Sequence, residues 1–164
     1  MRRPLVVGNW KMNGSREASI ALAESIVAQS ADTGDSELAL CAPFVYLNDI
    51  AASLKGSRVG LGAQDVSVHL EGAYTGEIAA SMLIGSGCKY VIVGHSERRQ
   101  YHAESSLLVA QKALMAFKSG LTPIICLGES LEERKADKAD TVIGEQLPSV
   151  ESVYGLVGLT LWWV

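Results

Sequence analysis

Leu5-Val6-Val7-Gly8-Asn9-Trp10-Lys11-Met12-Asn13-Gly14 decides which α/β architecture this sequence specifies. A short apolar run leads straight into a polar turn flanked by glycines. Further β-rich runs recur downstream: Glu37-Leu38-Ala39-Leu40-Cys41, Val59-Gly60-Leu61-Gly62-Ala63, Tyr90-Val91-Ile92-Val93-Gly94 and Thr122-Pro123-Ile124-Ile125-Cys126. Several are apolar almost throughout, the pattern of strands covered on both faces of a parallel sheet. Helical spacing fills the intervals. Ser15 to Ser30 sets Ala18, Leu22 and Ile26 on one stripe behind a Ser15 N-cap, and Phe44 to Leu54 behaves similarly. In Ser105 to Lys118, Leu108, Lys112 and Met115 alternate with Leu107 and Leu114, and Gly120 stops the helix before the next strand. Leu131 to Leu147 reads as one charged helix. The strand–helix rhythm repeats at roughly 30 residues, the length of one βα unit. A doubly wound sheet and a (β/α)8 barrel share that rhythm. A dinucleotide-binding sheet carries G-x-G-x-x-G after its first strand. The Gly8–Gly14 turn does not have that form, and Gly60-Leu61-Gly62 lies inside a strand. The barrel is favoured.

Composition narrows the function. With 164 residues and 48% apolar content the chain can bury a core, and its length suggests one domain. Fourteen basic and 18 acidic residues give a net charge of −4, and no Lys/Arg run is long enough to track nucleic-acid phosphates or a lipid surface. Met1-Arg2-Arg3 is followed by too short an apolar stretch for a signal peptide, and no window approaches the ~18 apolar residues of a membrane span. Cys41, Cys88 and Cys126 are odd in number and set in or beside apolar runs, which fits reduced thiols in the cytosol. The histidines (His69, His95, His102) have neither helical pairing nor cysteines at ligand spacing, so no metal site is expected. A soluble, unprocessed cytoplasmic protein is the expectation.

In a barrel, chemistry sits where the strands end. Those positions hold Asn9 and Lys11, Gln64 and Asp65, His95, Ser96 and Glu97, and Glu129. A lysine, a histidine and carboxylates on one rim suit proton transfer on an anionic substrate. Each has a plainer reading. Lys11 equally fits a solvated loop lysine, and a histidine after an apolar strand equally fits a structural residue. Glu97-Arg98-Arg99 fits a charged surface turn. Asp65 and Glu129 fit helix capping or pairing with arginine better than substrate contact, and Cys126 fits core packing.

Local context discriminates. Gly8-Asn9-Trp10-Lys11-Met12-Asn13-Gly14 resembles the first-strand signature of the triosephosphate isomerase family. Gly62-Ala63-Gln64-Asp65-Val66, continuing through Gly72-Ala73-Tyr74-Thr75-Gly76-Glu77, resembles that family's third loop. Tyr90-Val91-Ile92-Val93-Gly94-His95-Ser96-Glu97-Arg98-Arg99 resembles its fourth-strand motif, and Pro123-Ile124-Ile125-Cys126-Leu127-Gly128-Glu129 its fifth. The four occur in order across residues 1 to about 147. The resemblance implies an intramolecular aldose–ketose isomerase of glycolysis and gluconeogenesis, interconverting dihydroxyacetone phosphate and D-glyceraldehyde 3-phosphate through an enediolate, with no cofactor. Asn9 and Lys11 would bind substrate, and the lysine charge would balance phosphate and enediolate. His95 would polarise the carbonyl and shuttle protons. This family is itself the standard illustration of a catalytic histidine kept neutral by a helix N-terminus, and Ser96-Glu97-Arg98-Arg99 can open such a helix. A sugar-phosphate epimerase barrel would need other strand-end residues. Ser96 and Glu97 would hold His95 and Lys11 from behind. The Gln64–Glu77 loop, with Thr75 near its tip, would insert into a second subunit of a homodimer.

The sequence also departs from the family. It has no Tyr-Glu-Pro-Val-Trp stretch to carry the glutamate base and lid, and no glycine-rich turns of the seventh and eighth strands. Against the usual ~250 residues of such barrels, the expectation is a barrel truncated to about five βα units, residues 1–147. An atypical tail would follow at 148–164, in which Thr160–Val164 is either the start of a sixth strand or an out-of-frame or misassigned segment. Unpaired strand edges are expected to make the chain aggregation-prone or loosely open. The chain as written is expected to be inactive. The alternative is a non-catalytic fragment that pairs with a full-length isomerase subunit.

Overall fold

The computed structural model describes residues 3–32 and 34–154. Five parallel strands, β1 (Leu5–Asn9), β2 (Glu37–Cys41), β3 (Val59–Ala63), β4 (Tyr90–Val93) and β5 (Thr122–Ile125), lie in the order of the sequence. The pairing runs Leu5 to Glu37, Leu38 to Val59, Gly62 to Tyr90 and Tyr90 to Thr122. A doubly wound sheet reverses its strand order at a switch point. This sheet never reverses, so it curls as the arc of a (β/α) barrel.

Among the described residues, seven α-helices are interleaved with these strands: α1 (Arg16–Gln29), α2 (Leu47–Ser53), α3 (Ala80–Gly85), α4 (Ser96–Tyr101), α5 (Ser106–Lys118), α6 (Leu131–Lys135) and α7 (Ala139–Tyr154). Side-chain caps start several of them. The hydroxyls of Ser15 and Ser105 accept from the backbone N–H of Ala18 and Leu108, and Ser130 with Glu133 forms a reciprocal capping box.

Side-chain alternation explains why the strands read as continuous apolar runs. Leu40, Leu61, Val91 and Val93 join the layer under the helices, with Ala23, Ile50, Leu83 and Val109. Ala39, Cys41, Tyr90, Ile92, Ile124 and Cys126 form a second cluster on the inner face, against which Leu5 and Val7 pack. Both faces are apolar because both are covered. Burial pushes the thiols of Cys41, Cys88 and Cys126 up, to about 12, 11 and 11. Such thiols act as small apolar groups, which agrees with a packing role for Cys126.

Several sequence expectations change in detail. On α1 it is Ser19 and Ala23 that are buried, with Ile26 and Val27 packed beside them, while Ala18 and Leu22 are exposed. Small residues let the helix approach the sheet closely, and apolar character alone chose the wrong stripe. Phe44–Tyr46 is a 3-10 turn ahead of α2. The short α3 was not read from the sequence. The single helix expected over Leu131–Leu147 is two, because Asp137 adopts a left-handed φ of 55°. There the Lys138 N–H reaches back to the Glu133 carbonyl and the Asp137 N–H to Arg134, a Schellman-type stop. The segment expected to begin an atypical tail at residue 148 starts within α7, which continues through Pro148 to Tyr154. The proposed strand at Thr160–Val164 lies outside the described residues.

The inner face has little spare volume. A Cβ on Gly62 would fall 2.5 Å from Cys41 Sγ and 3.3 Å from Tyr90 Cβ. Gly62→Ala is therefore expected to lose ~1–3 kcal/mol of unfolding free energy from overpacking. Gly128→Ala, with nothing within 4 Å of its Cβ position, should stay within ~0.5 kcal/mol of the unsubstituted chain. Urea unfolding of the two variants side by side checks the contrast.

Candidate active site

Parallel, in-order strands deliver the ends of β1, β3 and β4 to one rim. There Asn9, Lys11, Gln64, His95 and Glu97 line a cleft of about 510 Å³, joined by Met12, Asn13, Arg98, Tyr101 and His102.

Lys11 is one of few non-glycine residues with positive φ, at 51°. Such a conformation typically costs ~1–3 kcal/mol and persists only where the surroundings over-determine it. The surroundings here do so. The Lys11 backbone N–H donates to Asn9 Oδ1 at 3.0 Å, and Asn13 Nδ2 donates to the Trp10 carbonyl at 3.0 Å. From β3, Gln64 Nε2 donates to the Lys11 carbonyl at 2.9 Å and to the Cys41 carbonyl at 3.0 Å. The turn is thus pinned to the ends of both neighbouring strands, and the ammonium is aimed across the rim.

Its target is on α4. Lys11 Nζ lies 2.9 Å from Glu97 Oε1. The hydrogen bond from Lys11 holds the Glu97 carboxyl below the usual glutamate range, outweighing a small opposing effect of burial. His95 stands at the N-cap of α4, and its Nδ1 accepts the Glu97 backbone N–H at 3.2 Å. A nitrogen that receives an N–H carries no proton of its own, so the ring's donor is Nε2. Glu97 Oε2 sits 3.4 Å from the same Nδ1. One residue therefore contacts both the lysine and the histidine. Ser96 opens α4 and is exposed, and no described residue hydrogen-bonds its hydroxyl.

The other strand-end carboxylates are engaged elsewhere. Glu129 is bound by Arg134 at 2.7 Å. Asp65 is buried against Lys112, whose Nζ is 2.8 Å from both of its oxygens, and Arg98 reaches it at 2.8 Å. Glu104 completes this cluster through Arg98 and Lys112. Burial raises the cost of ionising Glu104, yet hydrogen bonds from Lys112 and Arg98 win and hold it below the ordinary range. A buried pair of this kind is far costlier to break than to keep. The cluster ties α4 to α5 and to the loop after β3, beneath the cleft. That places Asp65 and Glu129 where the plainer reading put them, paired with cations. The amide brace from Gln64 and the cleft positions of Arg98, Tyr101 and His102 carry no local sequence signal and emerge only from the fold.

The triosephosphate isomerase family model matches residues 4–156. The chain belongs to that family. It is 53% identical over 150 residues to the triosephosphate isomerase of Cupriavidus taiwanensis, covering 92% of this chain and 60% of that protein. It is 52% identical over 159 residues to that of Nitrosococcus oceani, covering 97% of this chain and 64% of the relative. The crystal structure of triosephosphate isomerase from Bartonella henselae superposes with a TM-score of 0.85 at 40% identity, covering 91% of this chain and 62% of that one. The chain thus spans a little over three-fifths of the length of relatives in the triosephosphate isomerase family.

The Lys11–Glu97 contact has a defined pH dependence. Because the folded Glu97 carboxyl is depressed, the contact's contribution is fully present above the unfolded glutamate value and is lost as pH falls through the folded one. Carbon-detected NMR titration should find Glu97 ionising below ordinary glutamates, and Lys11→Met should move it upward. An unchanged titration in Lys11→Met would show that the lysine does not hold it.

Proposed function

We propose that this chain supplies the carbonyl-polarising and cationic part of a triose-phosphate isomerase site. The reaction is the interconversion of dihydroxyacetone phosphate and D-glyceraldehyde 3-phosphate, by removal of a proton alpha to a carbonyl and its return at the adjacent carbon. The observation that carries the reading is the meeting of Lys11, Glu97 and His95 at one cleft. In this reading Asn9 and Lys11 bind substrate, and the ammonium balances phosphate and the negative charge developing on the enediolate. His95, its Nδ1 occupied by the Glu97 N–H, donates from Nε2 to the substrate oxygens, first polarising the carbonyl and then passing protons between the two oxygens. Glu97 holds that pair in place, and Ser96, whose hydroxyl no described residue hydrogen-bonds, only opens the helix that carries it. The chemistry calls for no cofactor.

The carbon acid also needs a base across the substrate, within hydrogen-bond reach of its proton. Glu97 faces Lys11 and Glu129 faces Arg134, so neither is free for that task. The 164-residue chain alone is therefore inactive in this account, and residues 1–147 act as one part of a larger barrel.

Residues 70–77 are exposed, and Tyr74 within them stacks on His69 with ring centroids 3.6 Å apart. This self-supported projection favours a second reading for the isolated chain, that of a non-catalytic partner docking on a full-length isomerase subunit. In the complete protein the same loop would serve a homodimer. The buried, unpaired Cys41, Cys88 and Cys126 support a cytoplasmic location.

In a coupled assay the 164-residue chain should turn over at least ~10²–10⁴-fold more slowly than the Cupriavidus taiwanensis enzyme. Replacing the corresponding part of that enzyme with residues 1–147 of this chain should give an active chimera, which His95→Gln should slow by ~10²-fold or more. A folded but inactive chimera would count against the isomerase reading. Co-purification of the 164-residue chain with a full-length isomerase subunit would support the docking reading.

A further inference from the structure

Two consecutive arginines leave α4 in different directions. Arg98 joins the buried carboxylates Asp65 and Glu104. Arg99 does not: among the described residues its three hydrogen bonds all go to neutral oxygens. Nε donates to the Gly94 carbonyl at 2.9 Å, Nη1 to Ser106 Oγ at 3.1 Å and Nη2 to the Cys126 carbonyl at 3.2 Å. Burial lowers the pKa of this guanidinium, partly opposed by the charge of Glu104, and among the described residues no carboxylate forms an ion pair with it. Ion pairing therefore does not account for its position.

The position of the three oxygens does. Gly94 lies between the last residue of β4 and His95. Its carbonyl belongs to the peptide plane whose nitrogen is that of His95, so fixing that oxygen fixes the plane from which His95 departs and leaves φ, χ1 and χ2 to be set by the contacts beyond it. Cys126 is the first residue after β5, and Ser106 is the first of α5. A planar fork holds oxygens from three elements in fixed, coplanar directions, whereas the donors of an ammonium on a flexible stem rotate and impose no such geometry. Gly94 is shaped for this contact. It has φ 71°, and a Cβ there would lie 2.5 Å from Val109 Cγ1 and 3.1 Å from Arg99 Nη2. The Glu97 N–H that occupies His95 Nδ1 belongs to the same helical turn, which the Arg99 N–H helps close on the His95 carbonyl at 3.1 Å.

We propose that Arg99 is a positioning residue for His95, its guanidinium clamping the β4–α4 junction so that the imidazole keeps one orientation and one tautomer. The use made of that imidazole rests on the isomerase reading above, whereas the clamp can be tested without turnover.

The test is nitrogen NMR of the full 164-residue chain labelled in its histidines, with the His95 signals assigned by their loss in His95→Gln. The unsubstituted chain should show two widely separated ring-nitrogen signals for His95, one bare and one protonated. In Arg99→Gln and Arg99→Lys these should converge towards an average, because charge without the fork does not restore the clamp. His69 and His102 serve as internal references and should not change. Ser106→Ala, which removes one of three acceptors and retains the guanidinium, should give partial convergence, and it decides the matter if the Arg99 variants do not fold. Separate His95 signals persisting in folded Arg99→Lys or in Ser106→Ala would overturn the proposal. Failure of the isomerase reading would appear in the chimera's turnover and leave this tautomer measurement intact.

Discussion

A 2.9 Å contact between the ammonium of Lys11 and the carboxylate of Glu97 joins the end of the first strand to the start of the helix after the fourth. Everything at the cleft depends on that span. It is possible because the strands run parallel and in sequence order, so that the turns after β1, β3 and β4 open on the same side. It also needs Lys11 in a left-handed conformation, which three neighbouring polar groups enforce. The local cost at Lys11 is thus offset by hydrogen bonds that the fold provides.

The same economy governs α4, a six-residue helix too short to be stable by its own hydrogen bonds. Three attachments hold it: His95 at its start, Arg98 in the buried carboxylate cluster, and Arg99 against the ends of β4 and β5. Since α4 carries Glu97 and is capped by His95, its placement determines whether a ring nitrogen or a disordered side chain faces a ligand. Beneath it, the inner face of the sheet is filled by Tyr90, Ile92, Ile124, Cys41 and Cys126, with Gly60 leaving space for the Tyr90 ring and Gly62 for Cys41 Sγ and Tyr90 Cβ. The cleft therefore rests on a packed layer rather than on an open channel.

Much of this was legible in the residues. Uniformly apolar strands separated by helical stretches required a parallel sheet covered on both faces, and the absence of a phosphate-binding glycine fingerprint at Gly8–Gly14 separated barrel from doubly wound sheet. The ends of the apolar runs put Asn9, Lys11 and His95 on one rim, and the resemblance to the family gave them roles. What could not be read was long-range. The buried face of α1 is set by small residues, which hydrophobic periodicity undervalues. The break at Asp137 depends on a C-terminal motif that its sequence does not advertise. Lys112 sits on a helix stripe, and only the fold shows that the stripe meets Asp65 and Glu104 in the interior. The Gln64 brace links residues 53 positions apart, a distance over which local pattern is silent.

The central claim is that Lys11 and His95 address one ligand at the carboxyl ends of the strands. The chain offers a contrasting cationic surface at the opposite ends, where Arg3, Arg58 and Lys89 surround Glu37 and Tyr90. Side-chain NMR of the labelled chain during titration with dihydroxyacetone phosphate compares the two directly. Shifts that begin together at Lys11 Nζ and the His95 ring would agree with the account. Shifts confined to Arg3, Arg58 and Lys89, with Lys11 and His95 unmoved, would contradict it.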